Sequence, residues 1–161
     1  MNPCPCGFHG VPKSKKQCTC PASQVSRYQN RISGPLLDRI DLYCTVSPVT
    51  HQDLQGVHAA ESSESIRNRV EKARAVQLNR FEGTGIMVNA EMRAKDIQKF
   101  CEISAGVSKI LESAMERLNL SARGYHRVLK VSRTIADLSG VERITEKEVL
   151  EALQFRKIDG M

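Results

Sequence analysis

The sequence contains no tryptophan, and aromatic residues make up only 4% of its 161 residues. This scarcity favours helices packed through Leu, Ile, Val and Ala side chains. No stretch approaches the roughly 20 consecutive apolar residues that a membrane-spanning helix needs. The first seven residues also lack the basic and then apolar pattern of a secretory signal. These absences predict a cytoplasmic protein without a membrane span.

The signatures of a complete active site are missing as well. The sequence has no Gly-x-x-x-x-Gly-Lys-Ser/Thr phosphate loop and no Ser/His/Asp pattern. The four histidines do not share metal-ligand spacing; they are His9, His51, His58 and His126. Hydrophobic residues at 40% and charged residues at 26% are typical of a soluble globular protein. We therefore expect one domain, or a small domain joined to part of another, without a full catalytic centre.

Four of the six cysteines lie within the first twenty residues, in two closely spaced pairs. Cys4 and Cys6 form the first pair, and Cys18 and Cys20 form the second. A reducing compartment makes a disulfide framework unexpected. Four thiolates can close a tetrahedral zinc site, and four reduced thiols without metal are the alternative. The pattern therefore predicts a structural zinc site.

Other residues around the cysteines support two further expectations. Gly7, Gly10 and Pro12 are suited to turning the loop between the two pairs back on itself. Cys44 and Cys101 stand alone in apolar surroundings and are predicted to be small buried side chains.

Changes in composition predict three sections. Residues 1–46 are rich in Cys, Pro and Gly and end in an apolar run at 40–46 that favours a strand. Residues 47–60 are interpreted as a linker, and from about residue 61 to 161 the hydrophobic spacing becomes helical. A lone strand has to pair with another, so the first section is interpreted as the tail of a larger α/β domain. The expected fold class is mainly α, with a C-terminal helical bundle.

Five helices are predicted in this bundle, several with clear ends. The first closes at Gly83 and Gly85, Ser104 caps a later one, and the last begins with a capping box of Thr145 and Glu148. Residues predicted to face inward include Ile66, Val70, Ala73 and Gln77 on the first helix, Val128, Leu129, Ser132, Ile135 and Leu138 on the fourth, and Val149, Leu150 and Leu153 on the last.

Charge is concentrated near the N-terminus, where residues 1–46 hold six Lys and Arg side chains against two Asp, a net charge of +4. Such a section suggests a phosphate-bearing partner. Asp38 and Arg39 lie where a short helix is expected to turn into the strand. They form either a local ion pair that caps the turn or an arginine that reaches a phosphate on a neighbouring molecule.

A second set of basic residues follows Ser121. Arg123, Arg127 and Lys130 are spaced i, i+4 and i+7 and share one helix stripe. A solvated basic face is the plain interpretation. The alternative is a phosphate site, because Arg123 lies in the first turn, where a helix N-terminus favours anions.

Three long motifs, in this order, resemble one family: residues 1–7 (MNPCPCG) with the second cysteine pair, 33–42 (SGPLLDRIDL) and 121–138 (SARGYHRVLKVSRTIADL). Together they are similar to the magnesium-chelatase-like AAA+ ATPases of the competence protein ComM (YifB) group. The resemblance implies a hexameric ring ATPase that uses ATP and Mg²⁺ and moves along DNA as a helicase. It also implies that this chain is the C-terminal part: the tail of the AAA+ core with a cysteine-rich insertion, followed by the helical lid.

The resemblance also implies roles for particular residues. Asn2 corresponds to the sensor-1 polar residue, Arg39 to the arginine finger, and Arg123 to the sensor-2 arginine, with Arg127 as its rival. Three lysines on the cysteine loop are candidate contacts to the DNA backbone, or else belong to a solvated loop; they are Lys13, Lys15 and Lys16.

Two other functions stay open at this point. One is the ATPase subunit of a true magnesium chelatase, which the cysteine quartet disfavours. The other is a stand-alone zinc-containing DNA-binding or regulatory module, against which stand the unpaired strand and the lack of a convincing recognition helix. In either motor hypothesis, this chain alone is expected to be inactive as an ATPase.

Overall fold

The computed structural model describes residues 2–11, 16–46, 49 and 61–156, and the chain divides into two compact units. The first unit comprises Met1–Ala59 and Ile158–Met161, and the second comprises Ala60–Lys157. Apart from Val49, the predicted linker at 47–60 lies outside the described residues. The described helices include none that is both long and apolar enough to cross a membrane.

Within its described residues, the first unit contains two short helices, α1 (Ala22–Gln29) and α2 (Gly34–Leu37). The strand predicted at 40–46 is wrong, because these residues form neither strand nor helix. Leu42 is 50% exposed and Val46 is 88% exposed. An apolar run becomes a strand only when a neighbouring strand supplies its hydrogen bonds, and the described part of the chain holds no other strand. Cys44, in this run, is exposed, so its predicted burial is also wrong.

The second unit is a bundle of five helices and one short 3₁₀ turn at Asn89–Glu91, within the described residues. The helices are α3 (Ser63–Arg80), α4 (Ala94–Phe100), α5 (Ala105–Arg117), α6 (Ala122–Ser139) and α7 (Glu146–Gln154). Helix α6 is central, since α3, α4 and α7 all pack against it. The helical bundle predicted from the sequence is confirmed.

Side-chain caps start three of these helices. The hydroxyls of Ser62, Ser104 and Ser121 each accept a hydrogen bond from a backbone N–H three residues later, at 3.2, 3.3 and 3.0 Å. Each bond satisfies one of the donors that a helix N-terminus leaves unpaired. The predicted capping box at the start of α7 is also present. At the other end of α6, Gly140 adopts φ +69°, a left-handed conformation that glycine tolerates at a helix C-terminus.

The core of the second unit lies among these helices and is mostly aliphatic. Phe81 and Phe100 meet edge to face, with centroids 5.1 Å apart. Cys101 is 4% exposed, as predicted, and burial raises the pKa of its thiol to about 11. The buried members are Phe81, Met92, Ile97, Cys101, Val107, Leu111, Val128, Leu129, Ile135, Ile144, Val149 and Ala152.

Several residues predicted to face inward are exposed. On α3 only Ala73 and Gln77 are buried, whereas Ile66 and Val70 are 42% and 44% exposed. The C-terminal half of α3 contributes to the bundle core, but its first two turns bury no side chain. Leu138 and Leu150 are exposed as well, because each lies at the edge of an otherwise buried helix face. Hydrophobic periodicity predicts which face of a helix is buried, but it does not show how far along the helix the neighbouring helices extend.

Candidate functional site

The four clustered cysteines come together as predicted. Their sulfur atoms all lie within 4.8 Å of one another. Cys4 Sγ is 3.3 Å from Cys6 Sγ and 3.7 Å from Cys18 Sγ, and Cys6 Sγ is 3.6 Å from Cys18 Sγ. A tetrahedral zinc with Zn–S bonds of about 2.3 Å would hold sulfur pairs about 3.8 Å apart. The cluster therefore has the size of a four-thiolate metal site.

Burial and ligand number indicate what such a site can do. Cys4 is fully buried, and the other three cysteines are half-buried. Four protein ligands close a tetrahedral shell and leave no position for water or substrate, which is typical of a structural site. The cluster can stabilise its loops but has no open position for catalysis.

A tight turn places the first pair. The Gly7 N–H donates to the Cys4 carbonyl at 3.0 Å, and Gly7 has φ +84°, which glycine adopts without strain. A Cβ at Gly7 would lie 3.9 Å from Asn2 Nδ2, so the exposed Asn2 side chain lies beside this turn. Gly10 also has a positive φ of +66°, whereas Pro12 lies outside the described residues.

The surroundings shift the pKa values of the four clustered thiols unequally. A backbone hydrogen bond from Phe8, followed by one from the Cys4 side chain, lowers the pKa of Cys6 to about 6. A backbone hydrogen bond at Cys20 lowers the pKa of Cys18, but burial and the Cys6 and Cys4 thiols outweigh it and raise that pKa to about 12. Four adjacent thiolates repel one another, so all four can be ionised together only around a cation.

Two contacts support the loops that hold the cluster. Gln29, at the end of α1, donates from Nε2 to the Pro3 carbonyl at 3.1 Å. Lys16 lies over the Phe8 ring, with its Nζ 5.9 Å from the ring centroid. The other two loop lysines, Lys13 and Lys15, lie outside the described residues.

Arg39 lies in the turn that follows α2 and is exposed. Its backbone N–H donates to the Leu36 carbonyl at 3.0 Å, and the Ile40 N–H donates to the Leu37 carbonyl at 3.0 Å. The hydroxyl of Tyr43 donates to the same Leu37 carbonyl at 2.5 Å. The guanidinium therefore projects from a turn that is closed by hydrogen bonds on both sides.

The basic stripe of α6 is not uniformly solvated. Arg123 lies in the first turn and is exposed, whereas Arg127 is half-buried. Lys130 is half-buried too and donates from Nζ to the Ala90 carbonyl at 2.7 Å. Desolvation lowers the pKa of Lys130, and the nearby Arg127 adds to this. Of the three, Arg123 is the exposed one.

Sequence reasoning missed a buried polar network in the second unit. Asp137, whose side chain is fully buried, forms ion pairs with Arg80 and with Arg133, the latter at 3.1 Å. Asn89 Nδ2 also donates to Asp137 Oδ2 at 2.8 Å. The i, i+4 spacing of Arg133 and Asp137 was the available signal, but such a pair usually lies on a solvated face.

The network joins three parts of the bundle, namely the end of α3, the 3₁₀ turn and the last two turns of α6. Arg133 extends it further, because its Nη1 and Nη2 donate to the carbonyls of Glu142 and Val141 at 2.6 and 2.8 Å. Every member has a partner, which is the condition under which buried charges are tolerated.

Two family models match this chain. Residues 60–156 match the model described as magnesium chelatase, subunit ChlI C-terminal. Residues 1–54 match the model described as magnesium chelatase, subunit ChlI. The matched segments cover the four clustered cysteines and Arg39 in one model, and Arg123 and the buried polar network in the other.

Similar proteins agree with these matches. Competence protein ComM of Haemophilus influenzae is 40% identical over 157 residues, which is 97% of this chain and 29% of that protein. The YifB proteins of Salmonella typhimurium and Escherichia coli are each 35% identical over 163 residues, covering 100% of this chain and 30% of theirs. The chain therefore spans less than a third of the length of these relatives. Its motifs, its helical second unit and these similarities identify it as a member of the magnesium-chelatase-like family that includes ComM and YifB.

Proposed function

We propose that this chain is the C-terminal part of an ATP-dependent AAA+ motor that moves along DNA, as a ComM-like helicase in the recombination of incoming DNA. Residues 1–46 are the tail of the AAA+ core with its four-cysteine insertion, 47–60 are a linker, and 61–161 are the lid. In this proposal the whole protein is cytoplasmic and forms a hexameric ring. ATP and Mg²⁺ bind mainly to the part of the protein upstream of this chain.

The observation that most supports the proposal is the structural environment of Arg39. An exposed guanidinium on a hydrogen-bonded turn is free of a core-packing role and is suited to reach a phosphate on another subunit. An arginine supplied in trans stabilises the charge that develops on the transferred phosphoryl group. Arg39 would act in this way on the nucleotide of the neighbouring subunit.

Two further residues complete the proposed nucleotide contacts. Asn2 would orient the attacking water as sensor 1, and Arg123 would contact the nucleotide phosphates as sensor 2. The exposure of Arg123 in the first turn of α6 favours it over the half-buried Arg127. The N–H groups of that turn would add to the attraction for an anion.

The cysteine cluster supports a zinc ion as part of this proposal. Cys4, Cys6, Cys18 and Cys20 would hold it, and its chemistry would be to neutralise four thiolates and fix the loop. A closed site of this kind contributes to folding and not to ATP hydrolysis.

The lysines of the cysteine loop are the proposed contacts to the DNA backbone. Replacing Lys13, Lys15 and Lys16 with Glu in the full-length protein should weaken DNA binding and reduce the slope of log K against log salt by about three, since each phosphate contact contributes about 0.9 for a duplex. A matched control replaces three exposed lysines of the second unit with Glu: Lys95, Lys109 and Lys147. Unchanged DNA binding in the first variant would exclude the contact and leave a solvated loop.

The proposal is tested by ATPase assays of the full-length protein with and without branched DNA. Arg39→Ala should lower kcat by on the order of a thousandfold, as for other arginine fingers. Arg123→Ala should also abolish most hydrolysis, whereas the exposed Arg27→Ala and Arg117→Ala should leave it unchanged. If Arg39→Ala and Arg123→Ala both fold and keep full ATPase activity, the two arginines have no role in hydrolysis and are ordinary surface residues.

Two other functions remain as candidates because of the family descriptions and the cysteine cluster. One is the ATPase subunit of a magnesium chelatase, and the other is a stand-alone zinc-containing DNA-binding module. ATP hydrolysis by the 161-residue chain alone would overturn the assignment as a motor fragment. Translating the gene upstream of Met1 separates the module from the motors, because both motors require a phosphate loop there. Stimulation of hydrolysis by branched DNA separates the DNA motor from the chelatase.

A further inference from the structure

The segment after α2 contains a side-chain contact that nothing in the family resemblance assigns. Tyr43 lies in the irregular run at 40–46 and is half-buried. Its hydroxyl donates to the carbonyl of Leu37, the last residue of α2, six positions back along the chain. The contact therefore closes a loop whose tip contains Arg39.

The acceptor in this contact is one of the carbonyls that a helix leaves unsatisfied at its C-terminus. The Leu37 carbonyl already accepts from the Ile40 N–H at 3.0 Å, and its second lone pair accepts from Tyr43. Two donors on one oxygen fix the turn from both directions. Backbone bonds hold the turn from the side of α2, a four-residue helix that buries no side chain, and the Tyr43 hydroxyl holds it from the other side.

Tyr43 is the half-buried residue of the run at 40–46, whereas Leu42 and Val46 on either side of it are exposed. Its hydroxyl is a side-chain group of this run that bonds back to α2.

We infer that Tyr43 is a positioning residue for Arg39: its hydroxyl holds the turn from which the guanidinium reaches the neighbouring nucleotide. This inference rests on the proposed role of Arg39 and adds a second residue to it. The guanidinium has a long flexible stem and is exposed, so its position depends on the backbone turn beneath it. Misplacing a catalytic group by about 1 Å can cost about a hundredfold in rate.

The test compares Tyr43→Phe in the full-length ATPase with the wild-type protein. The substitution keeps the ring and removes only the hydroxyl. We expect kcat to fall by at least about tenfold, with KM for ATP and nucleotide affinity unchanged, because the turn contributes only when the transition state forms. The matched control is Tyr28→Phe, which removes a hydroxyl from α1 in the same unit and should leave kcat unchanged.

A double-mutant cycle separates positioning from general damage. If Tyr43 acts through Arg39, Tyr43→Phe should cause no additional loss in an Arg39→Ala background. An equal loss in both backgrounds, or wild-type kcat in Tyr43→Phe, would overturn the inference. Wild-type activity of Arg39→Ala itself would instead overturn the proposed function, so the two failures are distinguishable.

Discussion

At the scale of single residues, the second unit depends on one carboxylate. Asp137 forms ion pairs with both Arg80 and Arg133, whose side chains are 16% and 4% exposed. Removing it would leave two cations in a largely dry environment. Breaking a buried pair in this way is strongly destabilising because the remaining charge loses its compensation.

We therefore expect Asp137→Ala to lower the free energy of unfolding by about 3 to 5 kcal/mol. Urea denaturation followed by helical circular dichroism measures this. Glu116→Ala, at an exposed position on α5, is the matched control and should change stability by less than about 0.5 kcal/mol. A small effect of Asp137→Ala would mean that solvent reaches the two arginines and that the network is not a structural support.

The cysteine cluster gives a second prediction at this scale. Protein purified without chelator should contain one zinc per chain, and Cys4→Ser should lose it, since a structural site needs all four ligands. Cys44→Ser is the matched control because Cys44 is exposed and outside the cluster. Wild-type protein free of metal, or Cys4→Ser protein that keeps its zinc, would contradict a four-cysteine site.

At the scale of elements, helix α7 is fixed to the bundle by its first turn. Thr145 N–H donates to Glu148 Oε2 at 2.9 Å, and the Thr145 hydroxyl donates to the same oxygen at 2.5 Å. Val149, one residue further, is fully buried in the core. The capping box therefore sets where α7 begins and which of its residues enter the core.

The same bonds make the stability of α7 depend on pH. Hydrogen bonds from Thr145, from its side chain first, hold the pKa of Glu148 below its ordinary value of 4.5. A carboxyl whose folded pKa is lowered stabilises the fold above its unfolded pKa, and this stabilisation is lost as pH falls through the folded pKa.

We therefore expect Glu148→Gln to have a lower unfolding midpoint temperature than wild type at pH 7. The difference between the two midpoint temperatures should become smaller as the pH falls from about 5 towards 3. Thermal unfolding across this range measures the effect. Glu151→Gln, in the same helix, is the control and should follow the wild-type profile. A pH-independent difference between Glu148→Gln and wild type would assign the loss to packing and not to the carboxylate.

At the scale of the whole molecule, the sequence predicted the parts that local rules determine. Ser104 and Thr145 act within a few residues of themselves, and the structure has them as predicted. The paired spacing of the cysteines likewise indicated that they would come together. In these cases the residue type and its spacing along the chain are enough to determine the local structure.

Predictions failed where the outcome depends on distant neighbours. The run at 40–46 has strand composition but no strand to pair with among the described residues. Ile66 lies on the same face of α3 as the buried Ala73 and Gln77, yet it is 42% exposed. The burial of Asp137 was not predicted at all, because its partner Arg80 lies 57 positions away along the chain. Tertiary contacts decide such positions, and local patterns do not contain them.

The central claim is that Arg39 completes an ATP site on a neighbouring subunit, and mixing two inactive full-length proteins tests it most directly. One protein carries Arg39→Ala, and the other carries an inactivating change in its upstream phosphate loop. Mixing equal amounts of the two proteins should give rings in which the two kinds of subunit are placed at random. If Arg39 acts in trans, about a quarter of the interfaces in these rings should be active, because there an intact phosphate loop meets an intact Arg39 of the neighbouring subunit. No recovery on mixing, with ring assembly intact, would contradict the account.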